Sequence, residues 1–368
     1  MNIYEMVMKR RRLPKPENGI TVLSLFDGMS CGQIALHRAG IKINKYYASE
    51  IDRPAITVTQ HNYPDTVQLG DVTRWREWDI DWGSIYLLIG GSPCQGFSFA
   101  GKQLNFDDDR SKLFFTFVDI LNHIKQYNPN VKFLLENVRM KQAYENTITD
   151  ILGVYPVFIN SSLVSAQNRP RLYWANWKIT PPKDKGIILK DILEQETFGT
   201  AVSRTEHAHV ERKQGNGWVS VGGDKSQCLT VCGVTHWQGT YIPITETDDG
   251  KCCVRGALRA PNTCIQVGVV PDLAYEKVAR VYSSAGKSPT ITKHCDHAED
   301  IPKLATSNTT YRRLTPIECE RLQTVPDNYT AIVSQTKRHA MLGNGWTVDV
   351  IVHIFSCLWD LDYLTAYS

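Results

Sequence analysis

The sequence predicts a doubly wound α/β protein: a mostly parallel sheet with helices on both faces, interrupted by a β-rich insertion. Three observations carry this expectation. Strand-like apolar runs alternate with helical patterns through the first half of the chain. Several of these runs end at glycines or at a carboxylate, and open α/β sheets hold their ligands just beyond the carboxyl ends of the strands. The character then changes near Pro181-Pro182 and reverts near Leu314.

Residues 21–25 read as the first strand, and residues 32–39 as a helix that Gly40 stops. Strand-like runs follow at 45–49, 85–89 and 131–135, with helical patterns at 113–126 and 141–151. The run 85–89 is mostly apolar and breaks at Gly90-Gly91, which marks a central strand. From Pro181 to about Thr310 the chain is rich in Gly, Thr, Cys and His, with short strand-like pieces. Within it, residues 225–230 and 287–292 echo one another, either by chance or as two similar strands of one small sheet. Helical order returns with Thr315 as N-cap, Pro316 at the first helical position and Glu318 closing a capping box. The last helical pattern sets Ile351, Ile354, Phe355 and Leu358 on one face, long enough to dock back on the first domain. The chain thus divides into an α/β domain at 1–178, an inserted β-rich domain at 179–310, a hinge at 311–339 and a closing segment at 340–368.

The chain has 368 residues, 42% hydrophobic and 21% charged, as in ordinary soluble globular proteins. Its formal net charge of +3 neither requires nor excludes a polyanionic partner. Its cysteines lack the regular spacing of a secreted disulfide framework. Cys228, Cys232, His236, His294, Cys295 and His297 fit no regular zinc site, so no metal is expected. No basic-headed apolar leader is legible, and the apolar stretch 350–359 is too short to span a bilayer. A cytoplasmic protein with no membrane partner is the expectation. The basic run 9–12 reads as a solvated arm, with phosphate contact as the lesser alternative.

The central strand leads into Gly91-Ser92-Pro93-Cys94-Gln95-Gly96. Pro93 fixes its own φ, while Gly91 and Gly96 allow close backbone approach to a ligand. A lone cysteine is usually a small buried hydrophobe. A thiol at the mouth of a central strand between glycines is instead placed to react. Glu136, in Leu134-Leu135-Glu136-Asn137-Val138, stands at the carboxyl end of another buried strand. The first strand runs into Phe26-Asp27-Gly28-Met29-Ser30-Cys31-Gly32 and a helix, a turn that can wrap a ligand at the helix N-terminus. Glu50 follows the second strand, where a carboxylate accepts hydrogen bonds from ribose hydroxyls. Asp71 sits where a third strand should end. These three features suggest an adenosine-containing cofactor; a glycine turn with two solvated acids is the plainer alternative.

Taken in order, eight segments resemble the DNA (cytosine-5)-methyltransferase family. They are residues 26–28, 49–50, 70–72, 91–94, 136–138, the Gln-x-Arg-x-Arg at 167–171, 313–323, and Gly343-Asn344. They cover most of the chain outside 179–310. Two departures stand out. Gly345-Trp346 follows Gly343-Asn344 where members often have a small residue and valine. Ile51 stands where many bacterial members have tryptophan beside the cofactor adenine. Trp346 and Phe26-Asp27-Gly28 look more like the eukaryotic de novo branch.

The resemblance implies a Rossmann-like S-adenosylmethionine-dependent methyltransferase with an inserted target-recognition domain. It implies Cys94 as the nucleophile at carbon 6 of cytosine and Glu136 as the acid at ring nitrogen 3. Arg171 would hold the ring carbonyl, and Arg169 would support the thiolate or the carboxylate. The cofactor residues implied are Phe26, Asp27, Gly28, Gly32, Glu50, Ile51, Asp71, Val72, Gly91, Pro93, Leu113, Asn344 and Trp346. Residues 96–105 would form a loop closing on a flipped base. Arg204, Arg212, Lys213, Arg255 and Arg259 are candidates for phosphate or guanine contacts. The partner implied is double-stranded DNA, met by a monomer in a bacterial or phage setting that allows a companion restriction endonuclease. Three other readings stay open. A tRNA cytosine-5 methyltransferase shares the fold, though the large insertion favours duplex DNA. A catalytically silent DNA-binding homologue is opposed by the intact Cys94, Glu136 and Arg171. A nicotinamide-dependent oxidoreductase would use only the glycine turn and Glu50.

Overall fold

A computed structural model describes residues 16–92, 109–194, 211–214, 217–220, 264, 266–269, 280–291, 301–305 and 311–359. Six- and seven-residue strands, each with a run of buried residues, build the centre of a seven-stranded sheet. In chain order the main elements are β1 (Ile20–Leu25), α1 (Cys31–Arg38), β2 (Ile43–Ser49), α2 (Arg53–Asn62) and β3 (Val67–Gln68). They continue with β4 (Ile85–Gly90), α3 (Asp109–Tyr127), β5 (Lys132–Val138), α4 (Gln142–Leu152), β6 (Val157–Asn160) and β7 (Pro170–Ala175). The sheet order is β3-β2-β1-β4-β5-β7-β6. Strands β1 to β5 pair in parallel, and β7 runs antiparallel to both its neighbours. The order reverses between β1 and β4, so a crevice opens at their carboxyl ends, where such folds bind ligands.

Side chains alternate between the two faces of each strand. Val22, Leu87, Ile89 and Leu134 pack on the α1 side, and Leu23, Leu25, Leu88, Phe133 and Leu135 on the α3 and α4 side. Both faces are covered, as the alternating pattern predicts. Helix α1 ends as expected: Gly40 has φ 64°, and the Ile41 N–H donates to the Leu36 carbonyl at 2.9 Å. A left-handed residue there closes the last turn without a Cβ penalty.

Among the described residues of 179–310 the regular structure is strand apart from one 3-10 turn, Leu189–Ile192. Strands β8 (Glu211–Gln214) and β9 (Gly217–Ser220) form a hairpin. Strands β10 (Gln266–Val269), β11 (Arg280–Tyr282), β12 (Lys303–Ala305) and β13 (Tyr311–Arg313) form a four-stranded sheet. Residues 284–291, however, are fastened to the α/β body. The Ser288 N–H donates to the Ala166 carbonyl at 2.8 Å, and the Asn168 N–H to the Ser288 carbonyl at 2.9 Å. The Lys287 ammonium is fully buried and donates to the carbonyls of Ser162, Ser165 and Ile187. Burial pulls its pKa down, and three carbonyl acceptors offset the cost of taking the charge from water.

The chain then returns. Helix α5 (Pro316–Leu322) starts on the predicted capping box: Thr315 Oγ1 accepts from the Glu318 N–H at 3.1 Å, and Glu318 Oε2 from the Thr315 N–H at 2.9 Å. Helix α6 (Gln335–Asn344) follows, then α7 (Val348–Ser356). Ile351, Ile354, Phe355 and Leu358 are all buried, and α7 packs on α1. Each such side chain contributes about 1.5–3 kcal/mol on burial. The stretch Gln335–Trp359 is apolar and long enough to cross a membrane by composition alone. It is broken at residues 345–347, and α7 is a core helix.

Candidate active site

The crevice is built from the loop after β1, the ends of β2, β4 and β5, and the turn between α6 and α7. Phe26, Gly28 and Ser30 have φ of 58°, 59° and 61°, so every second residue of the loop after β1 is left-handed. That costs energy at Phe26 and Ser30 and is held by specific bonds. The Asp27 carboxyl turns inward, accepting from Tyr46 Oη at 2.8 Å and from Ser30 Oγ. Burial raises its pKa to about 6. The Tyr329 hydroxyl donates to the Met29 carbonyl at 2.8 Å, tying the loop to the late part of the chain.

Glu50 lies at the end of β2. Its Oε2 accepts from the Gly28 N–H at 2.8 Å, and its Oε1 from the N–H groups of Ile51 and Asp52 at 2.7 and 2.9 Å. These bonds fix the carboxylate while leaving lone pairs for ribose hydroxyls. Ile51 beside it is 71% exposed, an apolar surface suited to cover an adenine. Asp71 caps the 3-10 turn Val72–Glu77 through one oxygen, which accepts from the Thr73 N–H and Oγ1, both at 2.9 Å. The backbone before it lines a surface cleft with Arg74, Glu77 and Trp78. Val72 is buried beneath, and Leu113 is half-buried on α3. An open left-handed turn, a fixed carboxylate and an exposed apolar side chain fit an adenosyl cofactor.

Glu50→Ala should weaken S-adenosylmethionine binding by about 1–3 kcal/mol, the cost of leaving polar partners unpaired. Calorimetry on the purified protein reads this directly. Unchanged affinity would mean that the ribose is held elsewhere.

Glu136 continues the α1-facing side of β5, two residues on from Leu134. Its Oε1 pairs with Arg171 Nε at 2.9 Å, with side-chain exposures of 12% and 13%. Its Oε2 accepts from Trp346 Nε1 at 3.0 Å. The β5–β7 register sets this up, because Arg171 lies opposite Val138 and its side chain reaches back along the strand. Gly91 lies directly under the group: a Cβ there would stand 2.9 Å from Glu136 Oε2 and 3.0 Å from Trp346 Nε1. That close approach demands glycine.

Cys94 and Pro93 lie outside the described residues, as do 96–105, the arm at 9–12, the candidate metal ligands, and Arg204, Arg255 and Arg259. Arg212 and Lys213 fall in β8, with side chains outside the described set. The described chain reaches Ser92, two residues before Cys94. Asn137, 2% exposed, donates from Nδ2 to Ser92 Oγ at 3.2 Å and to the Ser92 carbonyl at 3.4 Å. Sequence reading gave Asn137 no role. Its signal was period two: the residue after Glu136 must point to the opposite face.

Arg169 is buried and donates to three backbone carbonyls: Ile291 at 2.9 Å, Gly343 at 3.0 Å and Gly345 at 2.9 Å. Burial lowers its pKa to about 9, which leaves it protonated at neutral pH. Among the described residues it hydrogen-bonds neither Glu136 nor a thiol. It braces the turn that carries Trp346. Asn344 is exposed at the end of α6, and Gly32 begins α1 under Trp346.

The family model described as C-5 cytosine-specific DNA methylase matches residues 20–359. Type II methyltransferase M1.ScrFI of Lactococcus lactis subsp. cremoris is 30% identical over 341 residues, 90% of this chain and 75% of that protein. Type II methyltransferase M.HhaI of Haemophilus parahaemolyticus is 25% identical over 362 residues, 92% of this chain and 94% of that protein. A crystal structure of Spodoptera frugiperda DNMT2 superposes with a TM-score of 0.57 at 18% identity, covering 92% of this chain and 99% of that one. At that identity the superposition speaks to the Rossmann-like fold alone. With a family match that runs from β1 to the end of the last described helix, the chain belongs to the C-5 cytosine-specific DNA methylase family and is a DNA (cytosine-5)-methyltransferase.

Proposed function

We propose that the protein methylates carbon 5 of a cytosine flipped out of duplex DNA, within a specific short sequence, through a covalent adduct on Cys94. The observation that supports this best is Glu136, held between Arg171 and Trp346 against Gly91, three residues before Cys94. Carbon 5 of cytosine is a poor nucleophile. Addition of the Cys94 thiolate to carbon 6 forms a C–S bond and moves the ring electron pair toward carbon 5. Glu136 offsets the negative charge by supplying or sharing a proton at ring nitrogen 3. Arg171 neutralises the carboxylate and offers its remaining donors to the ring carbonyl. Glu50, Ile51 and Asp71 would hold S-adenosylmethionine, which would supply the electrophilic methyl group and leave as S-adenosylhomocysteine. Loss of the carbon 5 proton to solvent re-forms the ring double bond as the C–S bond breaks, and Cys94 leaves as thiolate.

The nearby Cys31 is no rival nucleophile, since burial pushes its thiol to about 12. Flipping the base costs roughly a few kcal/mol. Residues 1–178 with 311–368 carry the chemistry in this reading, and the insertion reads the DNA. Residues 280–291 act as its tether, because Lys287 and Ser288 fasten them to the α/β body.

Bisulfite sequencing of random duplex DNA treated with the enzyme should show 5-methylcytosine in one short context. Methyl transfer to tRNA instead of DNA would overturn the reading. Exchanging residues 195–279 for those of a relative, with the Lys287 tether kept, should change that context and leave transfer chemistry working. Each base-reading pair contributes about 1–3 kcal/mol of discrimination. An active chimera that keeps the parent's context would sink the recognition role.

A further inference from the structure

We propose that Trp346 is a positioning residue for the catalytic carboxylate, joining Glu136 to the cofactor loop. This rests on the reading of Glu136 as the acid. By family resemblance Trp346 belongs to the cofactor wall, but its polar atom points the other way. Indole Nε1 donates to Glu136 Oε2 at 3.0 Å, while Arg171 Nε takes Oε1 at 2.9 Å. One donor on each oxygen fixes the carboxylate plane and leaves each oxygen lone-pair capacity for the base. With only Arg171 the group could swing about its last torsion, which is broad for a carboxylate.

The indole spans two sites. Its six-membered ring lies 3.8 Å from where a Cβ on Gly32 would stand, at the start of α1. Gly345, just before it, packs so closely on the loop that a Cβ there would meet Met29 Cε at 2.9 Å and Cys31 Sγ at 3.2 Å. The turn is itself braced, by Arg169 on the carbonyls of Gly343 and Gly345 and by Gln323 Nε2 on the Leu342 carbonyl at 2.6 Å. A braced turn can hold an indole N–H in one direction; a loose one could not. Valine, common here in the family, has no side-chain N–H to give.

The test separates kcat from KM. Trp346→Phe keeps the aromatic body and loses the donor. Its kcat should fall about 10-fold or more, the effect of losing one hydrogen bond to a charged group. Its KM for S-adenosylmethionine should stay within about 3-fold, since this contact does not touch the ribose carboxylate. Trp346→benzothienylalanine, which replaces N–H by sulfur at nearly constant volume, should lose kcat to the same degree; it decides the matter if phenylalanine disturbs folding. A raised KM with unchanged kcat in both variants would overturn the proposal and return Trp346 to the cofactor wall. Wild-type kcat in Glu136→Gln would instead overturn the acid assignment, so the two failures are distinct.

Discussion

Cys94→Ser should reduce methyl transfer by at least about 10³-fold while leaving S-adenosylmethionine binding intact. A serine hydroxyl is far less acidic than a thiol and a much weaker nucleophile toward ring carbon 6. A loss of that size corresponds to about 4 kcal/mol of barrier. The Ser92 anchor should survive, because Asn137 holds it through groups the substitution does not touch. Single-turnover kinetics give the rate and calorimetry the binding. A 5-fluorocytosine duplex adds a second readout. Fluorine cannot leave as a proton does, so wild-type enzyme should remain covalently attached through Cys94 and the variant should not. Near-normal methylation by Cys94→Ser, or an adduct mapped to another cysteine, would remove the covalent mechanism.

Glu136→Gln carries the second large effect, a fall in kcat of about 10²–10⁴-fold. Shape is nearly conserved, but hydrogen bonding is not. Both neighbours of the carboxylate are donors, Arg171 Nε on one oxygen and Trp346 Nε1 on the other. An amide must turn its own NH₂ toward one of them. Two donors then face each other in a pocket where the pair is only about one-eighth exposed, and one of them goes unsatisfied. The amide also cannot serve as an acid at ring nitrogen 3. S-adenosylmethionine affinity should stay unchanged, since Glu50 and its loop are untouched. A kcat within about 3-fold of wild type would show that the ring is neutralised by some other group.

Much of this arrangement was legible beforehand, for reasons that differ by element. Strands β1, β4 and β5 hold short apolar runs with abrupt ends, and β2 a Tyr-Tyr pair before Glu50, so local composition marks them. The Thr315 capping box was legible because two backbone donors need partners and the spacing supplies both. The closing helix announced its buried face through Ile351, Ile354, Phe355 and Leu358. Strands β6 and β7 were not found. Strand β6 has only four residues, and β7, as long as β1, opens on Pro170 and Arg171, residues that look like loop. Their antiparallel turn follows from length: the connection at 161–169 holds no crossover helix, which a parallel return requires.

The sequence singles out Glu136 and Glu50 because each stands at the end of a strand, and the structure describes both there, at the ends of β5 and β2; Cys94 lies outside the described residues. The site was not legible where distant segments meet. Nothing local told that Trp346 would donate to Glu136, or that Arg169 would spend its donors on Gly343, Gly345 and Ile291. Lys287 is the clearest case. Its segment reads as an echo of 225–230, yet its ammonium plugs a ring of carbonyls from 162, 165 and 187. A buried lysine has no sequence signature, because lysine is almost always solvated.

The brace on the turn before α7 has a consequence for synthesis. A ribosome makes Glu136 and the loop after β1 before residues 329–348. Yet Met29 waits for Tyr329, Arg169 for residues 343–345, and the outer side of α1 for α7. Domains usually form as their residues emerge. Here a chain arrested before residue 329 would present half a crevice and an uncovered apolar helix, and would hold neither donor nor base in register. In the proposed reading, methyl transfer therefore waits for residues 329–348, which close the crevice.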